Sequence, residues 1–171
     1  MVFKERQKFN QLWIWITIIL TSIPVFVLFF VATYKQIIQG VQFGNNPMSN
    51  TGLIIATIST LSLVILLLLL FGFAKLTTTI DKQAIRFKFF PFQRKSMHID
   101  WNEVNEYQVI KYNPIGDFGG WGIRKRGNRK VYNVAGNIGL LLILKSGKEM
   151  LLGTKKGDEL AKFLSAIHAK I

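Results

Sequence analysis

Few residues in this chain belong to the types that usually carry out catalysis. Imidazole, the commonest general base, occurs only at His98 and His168. The pattern places His98 in a strand beside a turn and His168 in the last turn of a terminal helix, where a cation suits the helix dipole. Neither lies in a recognised motif, so structural or solvent-facing roles are expected. The absence of cysteine excludes disulfides, thiolate metal sites and thiol catalysis.

The main acidic cluster consists of Asp100, Glu103 and Glu106. A hard metal ion could in principle use such carboxylates, but the glycine-containing loop of a calcium site is absent. The spacing of Asp100 and Glu103 is typical of a capping box, in which Asp100 caps a short helical turn and Glu103 reaches back to it. Neither a metal nor a cofactor is therefore predicted.

A glycine-rich stretch at residues 116–122 invites comparison with phosphate-binding loops. It lacks both the G-x-G-x-x-G spacing and the Gly-Lys-Ser/Thr ending, and no helix is expected after it. The glycines are better explained by a tight bend or a bulge. Trp121 is then expected to anchor the following hairpin, either in the core or at an interface.

The most unusual polar feature is a run of basic residues around a Gly-Asn turn, which would project positive charge from one hairpin. We predict that this hairpin contacts anionic lipid headgroups or a partner protein. The predicted contact residues are Trp121, Arg124, Lys125, Arg126, Arg129 and Lys130. A solvated turn whose charge merely satisfies the membrane topology rule is the alternative. Nucleic-acid binding is not predicted, because aromatic residues are scarce within the run.

The location of this basic hairpin relative to a membrane depends on two long apolar segments near the N-terminus. Residues 9–34 contain no charged side chain, and their inner 21 residues would form a helix of about 31 Å, which matches a bilayer core. Residues 53–74 form a second uncharged run of similar length. The sequence therefore predicts a transmembrane hairpin with helices at about 12–34 and 53–74. A cleaved signal peptide is less favoured, because the first apolar run is too long and no A-x-A site follows it.

The distribution of basic residues predicts the orientation of this hairpin. Three basic residues precede the first helix and four closely follow the second, whereas the connecting loop contains only Lys35. The flanking residues are Lys4, Arg6, Lys8, Lys75, Lys82, Arg86 and Lys88. Basic flanks are retained in the cytoplasm, so a multi-pass cell-membrane protein with both termini cytoplasmic is predicted.

After residue 75 the hydrophobic period changes from helical to alternating, as in half-buried strands. The predicted strands cover residues 76–80, 84–90, 94–99, 107–112, 121–124, 130–134, 140–144 and 149–152. They are expected to form an antiparallel meander. From Asp158 to Ala169 an apolar stripe recurs at three- and four-residue spacing, which predicts a terminal helix packed on the open end of the sheet. Residues 1–75 are thus assigned to an N-terminal tail and the hairpin, and residues 76–171 to a cytoplasmic, mainly β domain.

Three segments of the soluble part form a recognisable pattern, namely residues 79–85, residues 99–104, and residues 152–154 leading into Leu160, Phe163 and Leu164. Together these segments resemble the bacterial pleckstrin-homology (PH) domain membrane proteins. The resemblance covers roughly residues 76–170, and the preceding pair of membrane helices is also similar to that family. It implies a PH-like antiparallel β-barrel or sandwich capped by the C-terminal helix.

The function expected from these observations is that of a non-enzymatic, membrane-anchored binding or scaffolding module. From residue 75 onward the chain has 18 Lys and Arg against 8 Asp and Glu, a formal net charge of +10. Anionic lipids, a partner membrane protein or a second copy of the chain are the expected partners. The alternative is a membrane-associated enzyme or transport-complex component with a pocket containing Tyr112, Asp117, Arg124 and His98. A transport pore is less favoured, since neither membrane helix has an internal charged residue.

Overall fold

A computed structural model describes residues 1–168 and divides the chain into two compact units. The helical unit covers residues 10–72, and the soluble unit combines residues 1–9 with the chain from residue 73 onward. This division differs from the expected boundary at residue 75, because the first nine residues belong to the soluble unit. The basic segment before the first helix is therefore a structural part of the β domain.

The helical unit contains two apolar helices. Helix α1 spans Leu12–Thr33 and continues through a π-helical turn, Tyr34–Ile38, while helix α2 spans Asn50–Phe73. Both are long and apolar enough to cross a membrane, and few of their side chains are buried within the structure. The two predicted helices are confirmed, with α2 beginning three residues earlier than expected.

Two threonines link these helices through hydrogen bonds. The hydroxyl oxygens of Thr33 and Thr57 are 2.7 Å apart, and the Thr57 hydroxyl also lies 3.1 Å from the carbonyl oxygen of Phe29. In contrast, the hydroxyls of Thr17 and Thr21 donate to carbonyl oxygens of their own helix. Such back-bonding satisfies a hydroxyl inside an apolar segment without a partner helix.

The first sheet of the soluble unit has four antiparallel strands in the order β1-β2-β3-β4. They are β1 Phe3–Lys8, β2 Lys75–Ile80, β3 Ala84–Phe90 and β4 Met97–Asp100. The alternation that predicted β2 and β3 is confirmed by their burial, since every second side chain points into the core. Strand β1 alternates in the same way but was not predicted, because its exposed basic residues were interpreted only as a membrane flank.

The second sheet has five strands in the order β5-β8-β9-β7-β6. They are β5 Val104–Lys111, β6 Gly122–Arg126, β7 Arg129–Asn133, β8 Ile138–Leu144 and β9 Glu149–Thr154. Strands β7 and β9 are parallel, so the expected antiparallel meander is wrong here. Strand β8 lies between β5 and β9, and the β6–β7 hairpin is left to pair along the other edge of β9. Within the described residues the strands form two separate sheets and no closed barrel, so the barrel version of the predicted fold is not observed.

Aromatic side chains join the two sheets. Phe87 of β3 and Tyr132 of β7 are fully buried, and their ring centroids are 4.8 Å apart in an edge-to-face arrangement. Phe3 of β1 lies 6.0 Å from Phe163 of the terminal helix, measured between ring centroids. Such pairs contribute about 0.5–1.5 kcal/mol each beyond the burial of their area.

Strand β1 also makes buried polar contacts with β9. The Glu5 carboxylate accepts hydrogen bonds from the Thr154 hydroxyl at 2.6 Å and from the Lys155 backbone N–H at 2.9 Å. The Gln7 amide donates to the carbonyl oxygen of Gly153 at 2.7 Å. Hydrogen bonds to a carboxylate contribute roughly 1.5–3 kcal/mol each and neutral ones about 0.5–1.5 kcal/mol, so these contacts fix β1 within the domain.

Two short helical elements follow the predicted pattern. Helix α4 spans Gly157–His168 and buries Leu160, Leu164 and Ile167, as the apolar stripe predicted. The expected final residue, Ala169, and the side chain of His168 lie outside the part of the chain described. A 3-10 turn follows β4 and contains the predicted capping box between residues 100 and 103.

Candidate functional site

The predicted basic hairpin is formed by β6 and β7 around a two-residue turn, Gly127-Asn128. Gly127 has a φ of +57°, a conformation that strains residues with a side chain and suits a tight hairpin turn. In the ladder Arg126 lies opposite Arg129, and Lys125 lies opposite Lys130. The hairpin therefore concentrates positive charge at the edge of the second sheet.

The strand alternation separates these basic residues onto two faces. Val131 of β7 is buried in a cluster with Tyr112 and against Phe118, and strand alternation puts Arg129 on the same face as Val131. The register brings Arg124 and Arg126 to that face as well. Lys125 and Lys130 occupy the opposite face, where the Lys130 ammonium lies 5.2 Å from the ring centroid of Tyr132, a buried residue that contacts the first sheet. The predicted site is thus an arginine face and a separate lysine pair.

A cavity of about 410 Å³ opens beside the arginine face. It is lined by Asp117, Phe118, Arg126, Asn128, Arg129 and Glu149. The Arg129 guanidinium is paired with the Glu149 carboxylate at 2.6 Å, which offsets its charge. Arg126 donates to the backbone carbonyl of Asp117 at 2.8 Å, and this acceptor carries no formal charge. The cavity could accept an anionic group through Arg126.

Trp121 lies at a neighbouring cavity of about 710 Å³. Its indole N–H donates to the carbonyl oxygen of Gly136 at 3.3 Å. The same cavity is lined by Tyr112, Pro114 and Asp117, among others. Trp121 is therefore next to the hairpin in sequence, but it lines a different cavity from the one that Arg126 lines.

The pocket considered for an enzyme is assembled only in part. Tyr112 and Asp117 line the 710 Å³ cavity, whereas His98 lies on β4 of the other sheet and contacts the Asp100 carboxylate at 2.9 Å. Burial raises the pKa of Tyr112, although a hydrogen bond from the Asn133 amide acts in the opposite direction. A phenol with a raised pKa stays protonated at neutral pH and is a weak general base.

The acidic and glycine-rich segments have local structural roles. Asp117 accepts a hydrogen bond from the backbone N–H of Asn113, and the Asn113 side chain accepts one from Gly116 at the start of a short helix, α3 Pro114–Phe118. Gly119, with φ of +69°, ends that helix, as expected for a glycine at a tight bend. The short helix itself was not predicted. Within residues 1–168, apart from the side chain of His168, no group of three or more His, Asp or Glu could hold a metal ion.

A second basic surface was missed by sequence reasoning. The outward face of the first sheet has six basic side chains on three adjacent strands, and we call it the basic sheet face. Its residues are Lys4, Arg6 and Lys8 of β1, Lys75 of β2, and Arg86 and Lys88 of β3. Arg86 is paired with Asp81 at the β2–β3 turn. The signal that could have revealed this surface is the strict alternation of Lys4, Arg6 and Lys8 with the non-basic residues Phe3, Glu5 and Gln7.

The strand register organises the basic sheet face into rows. Arg6 lies opposite Thr77, which in turn lies opposite Lys88. Lys8 lies opposite Lys75 in the next row. Adjacent strands are about 4.8 Å apart, so each row brings its charges within about 10 Å of one another. Like charges at this spacing repel, and an anionic surface would relieve that repulsion.

Comparisons of the chain with protein-family models, with curated proteins and with solved structures found no significant match.

Proposed function

We propose that this chain is a membrane-anchored binding module whose soluble unit binds the anionic headgroups of the leaflet next to it. The observation that carries the proposal is the basic sheet face, which has six cationic side chains on three adjacent strands. Each basic residue near an anionic leaflet contributes about 1 kcal/mol, so the face could supply several kcal/mol of attraction.

Chain connectivity supports this assignment. Strand β1 ends at Lys8 and α1 begins at Leu12, while α2 ends at Phe73 and β2 begins at Lys75. Lys8 and Lys75 lie opposite each other in the ladder. The two segments that lead into the apolar helices therefore leave the sheet from the same end of adjacent strands.

The orientation belongs to the same proposal. Lys4, Arg6 and Lys8 precede α1, Lys75 follows α2, and the loop between the helices contains only Lys35. This asymmetry supports a cytoplasmic location for the soluble unit, where the leaflet carries anionic lipids.

Lipid retention by the full-length protein tests this proposal. The protein would be purified in mild detergent with mixed phosphatidylglycerol and phosphatidylcholine, and bound lipid quantified by mass spectrometry. The double variant Arg6→Glu and Lys88→Glu should retain several-fold less phosphatidylglycerol, with phosphatidylcholine unchanged. The matched control is Lys125→Glu with Lys130→Glu, which changes the net charge equally on the other sheet. If both variants lost the same amount of phosphatidylglycerol, net charge alone would explain the effect, and the proposal would be contradicted.

The arginine face is a second candidate for the binding surface. Arg126 lines a cavity and donates to an uncharged carbonyl, so it could receive a carboxylate or phosphate of a partner. Loss of phosphatidylglycerol only with Arg124→Glu and Arg126→Glu would assign headgroup binding to the hairpin. A protein that copurifies with the wild type and is lost from that variant would instead indicate a scaffolding role for the hairpin.

A further inference from the structure

The loop between β3 and β4 has an exposed apolar surface that the basic sheet face does not explain. From β2 to α4, all within the described chain, the exposed large hydrophobic side chains are Phe90, Phe92 and Ile115. Phe92 is 56 % exposed and Phe90 38 %, and they are separated by one residue. Exposed phenylalanines so close together are unusual on a water-facing loop.

This loop is held in shape by its own contacts. The backbone N–H of Gln93 donates to the carbonyl oxygen of Phe89 at 2.8 Å, and the backbone N–H of Phe89 donates to the Gln93 side chain at 2.8 Å. The Phe92 ring lies 5.7 Å from the buried Phe89 ring, between centroids. The buried Phe89 ring therefore supports one side of the Phe92 ring, and the other side of Phe92 is exposed.

Basic residues flank the two phenylalanines. Arg94 and Lys95 follow them in the loop and are exposed. The Lys75 ammonium lies 5.3 Å from the ring centroid of Phe90. The chain contains no acidic residue between Asp81 and Asp100. Aromatic rings next to Lys and Arg are the combination that favours the boundary between acyl chains and headgroups.

The register places this loop at the end of the sheet that leads to the apolar helices. Phe90 lies opposite Lys75, and Lys75 lies opposite Lys8. Strand spacing puts the start of the loop about 10 Å from the end of β1. Lys75 is two residues after the end of α2, so the loop starts beside a strand end that is covalently close to a membrane segment.

We infer that residues 90–95, the aromatic loop, insert into the interfacial region of the membrane that holds the apolar helices. Phe90 and Phe92 enter the boundary of the acyl chains, and Arg94 and Lys95 contact lipid phosphates. The inference rests on the membrane location in the proposed function and adds a defined contact segment to it. The occupant of this surface is the bilayer, because the loop joins aromatic and cationic groups beside the route into the membrane.

Site-directed spin labelling of the full-length protein tests this inference, and the cysteine-free sequence makes each introduced cysteine unique. Ser96→Cys places the label directly after the aromatic loop and keeps both phenylalanines. Ile115→Cys, on α3, is the control at an exposed hydrophobic position. The protein would be placed in nanodiscs of phosphatidylcholine with phosphatidylglycerol, and nitroxide relaxation measured with oxygen and with a water-soluble nickel complex.

Lipid insertion should raise the ratio of oxygen to nickel accessibility at position 96 several-fold over that at position 115. Adding Phe92→Asp to the Ser96→Cys protein should return the ratio to the control value. Water-like accessibility at position 96 would overturn the inference, and low accessibility to both reagents would overturn it too, since that pattern indicates contact with protein. Either result would be compatible with the proposed function if the Arg6→Glu and Lys88→Glu variant retained less phosphatidylglycerol than the wild type. A high ratio in pure phosphatidylcholine, with no headgroup preference in the retention assay, would support the loop and reject the proposed function.

Discussion

Replacing Phe3 by alanine tests whether the first residues of the chain are part of the folded β domain. Phe3 is 3 % exposed and contacts Phe163, whereas its neighbour Lys4 points outward from the same strand. Truncating a buried phenylalanine costs about 3–5 kcal/mol, because apolar contact is lost and a cavity remains. Lys4→Ala on the exposed face should change the free energy of unfolding by less than about 0.5 kcal/mol. The two substitutions therefore form a matched pair one residue apart.

The assay would use a soluble form in which a short linker joins residues 1–9 to residues 73–171. Because Lys8 lies opposite Lys75, a linker of a few residues can close these ends as a hairpin. The tryptophans that remain, Trp101 and Trp121, report unfolding by fluorescence in urea. With a slope of about 2 kcal/mol per molar urea, Phe3→Ala should lower the midpoint by roughly 2 M.

Equal and small shifts for both substitutions would refute the assignment of β1 to the sheet. A fragment that begins at residue 73 provides a second reading. It lacks every contact of β1, including the hydrogen bonds of Glu5 and Gln7 to β9, and should be no more stable than the Phe3→Ala protein. A fragment as stable as the linked form would contradict the structure in the same way.

Two further outcomes concern the turn of the first sheet and the core of the second. Hydrogen bonds, chiefly from the backbone N–H of Ala84, lower the pKa of Asp81 to about 2. The ionised Asp81 carboxylate therefore stabilises the folded state above its unfolded pKa of about 3.8, and this stabilisation is lost as pH falls toward 2. Asp81→Asn should lower the free energy of unfolding at pH 7. In an acid titration, the variant should also lose less stability than the wild type between pH 4 and 2. Gly153→Ala should destabilise by about 1–3 kcal/mol in thermal unfolding, because the added methyl would lie 2.7 Å from Cβ of Asn133 and 3.1 Å from the Tyr112 hydroxyl; an unchanged midpoint would show that β9 can move away.

The parts of the fold that could be predicted are those set by neighbouring residues. Alternation along residues 76–80 and 84–90 predicted β2 and β3. The i, i+3 and i+4 spacing of apolar residues predicted α4, and the pair at residues 100 and 103 predicted the capping box. Each of these patterns lies within a dozen or so residues, so the local sequence contains the information.

Pairings between distant residues could not be predicted in the same way. The parallel ladder of β7 and β9 brings Val131 beside Leu151, and nothing in either segment specifies the direction of its partner. The pairing of β1 with β2 places Lys8 opposite Lys75, although both apolar helices lie between these residues in the sequence. Basic residues that flank a membrane helix satisfy the topology rule whether or not they form a strand, so their charge concealed their alternation.

The candidate site shows the same limit. The basic residues of the hairpin were identified from their density, but their separation into an arginine face and a lysine pair depends on strand register. The basic sheet face depends on it even more, because Arg6 and Lys88 share a row only through Thr77. Charge density along the sequence identifies a basic segment, whereas the sheet determines which charges act together.

The placement of β1 in the soluble unit also constrains how the protein can be made. Strand β1 is synthesised first, yet its partner β2 emerges only after both apolar helices have left the ribosome. When both helices cross a bilayer, the segments before α1 and after α2 lie on the same side, where β1 and β2 can pair. If only one of the two helices crossed, the bilayer would separate β1 from β2 and leave the edge of β2 unpaired. Completion of the first sheet would therefore require that both helices cross the membrane or that neither does.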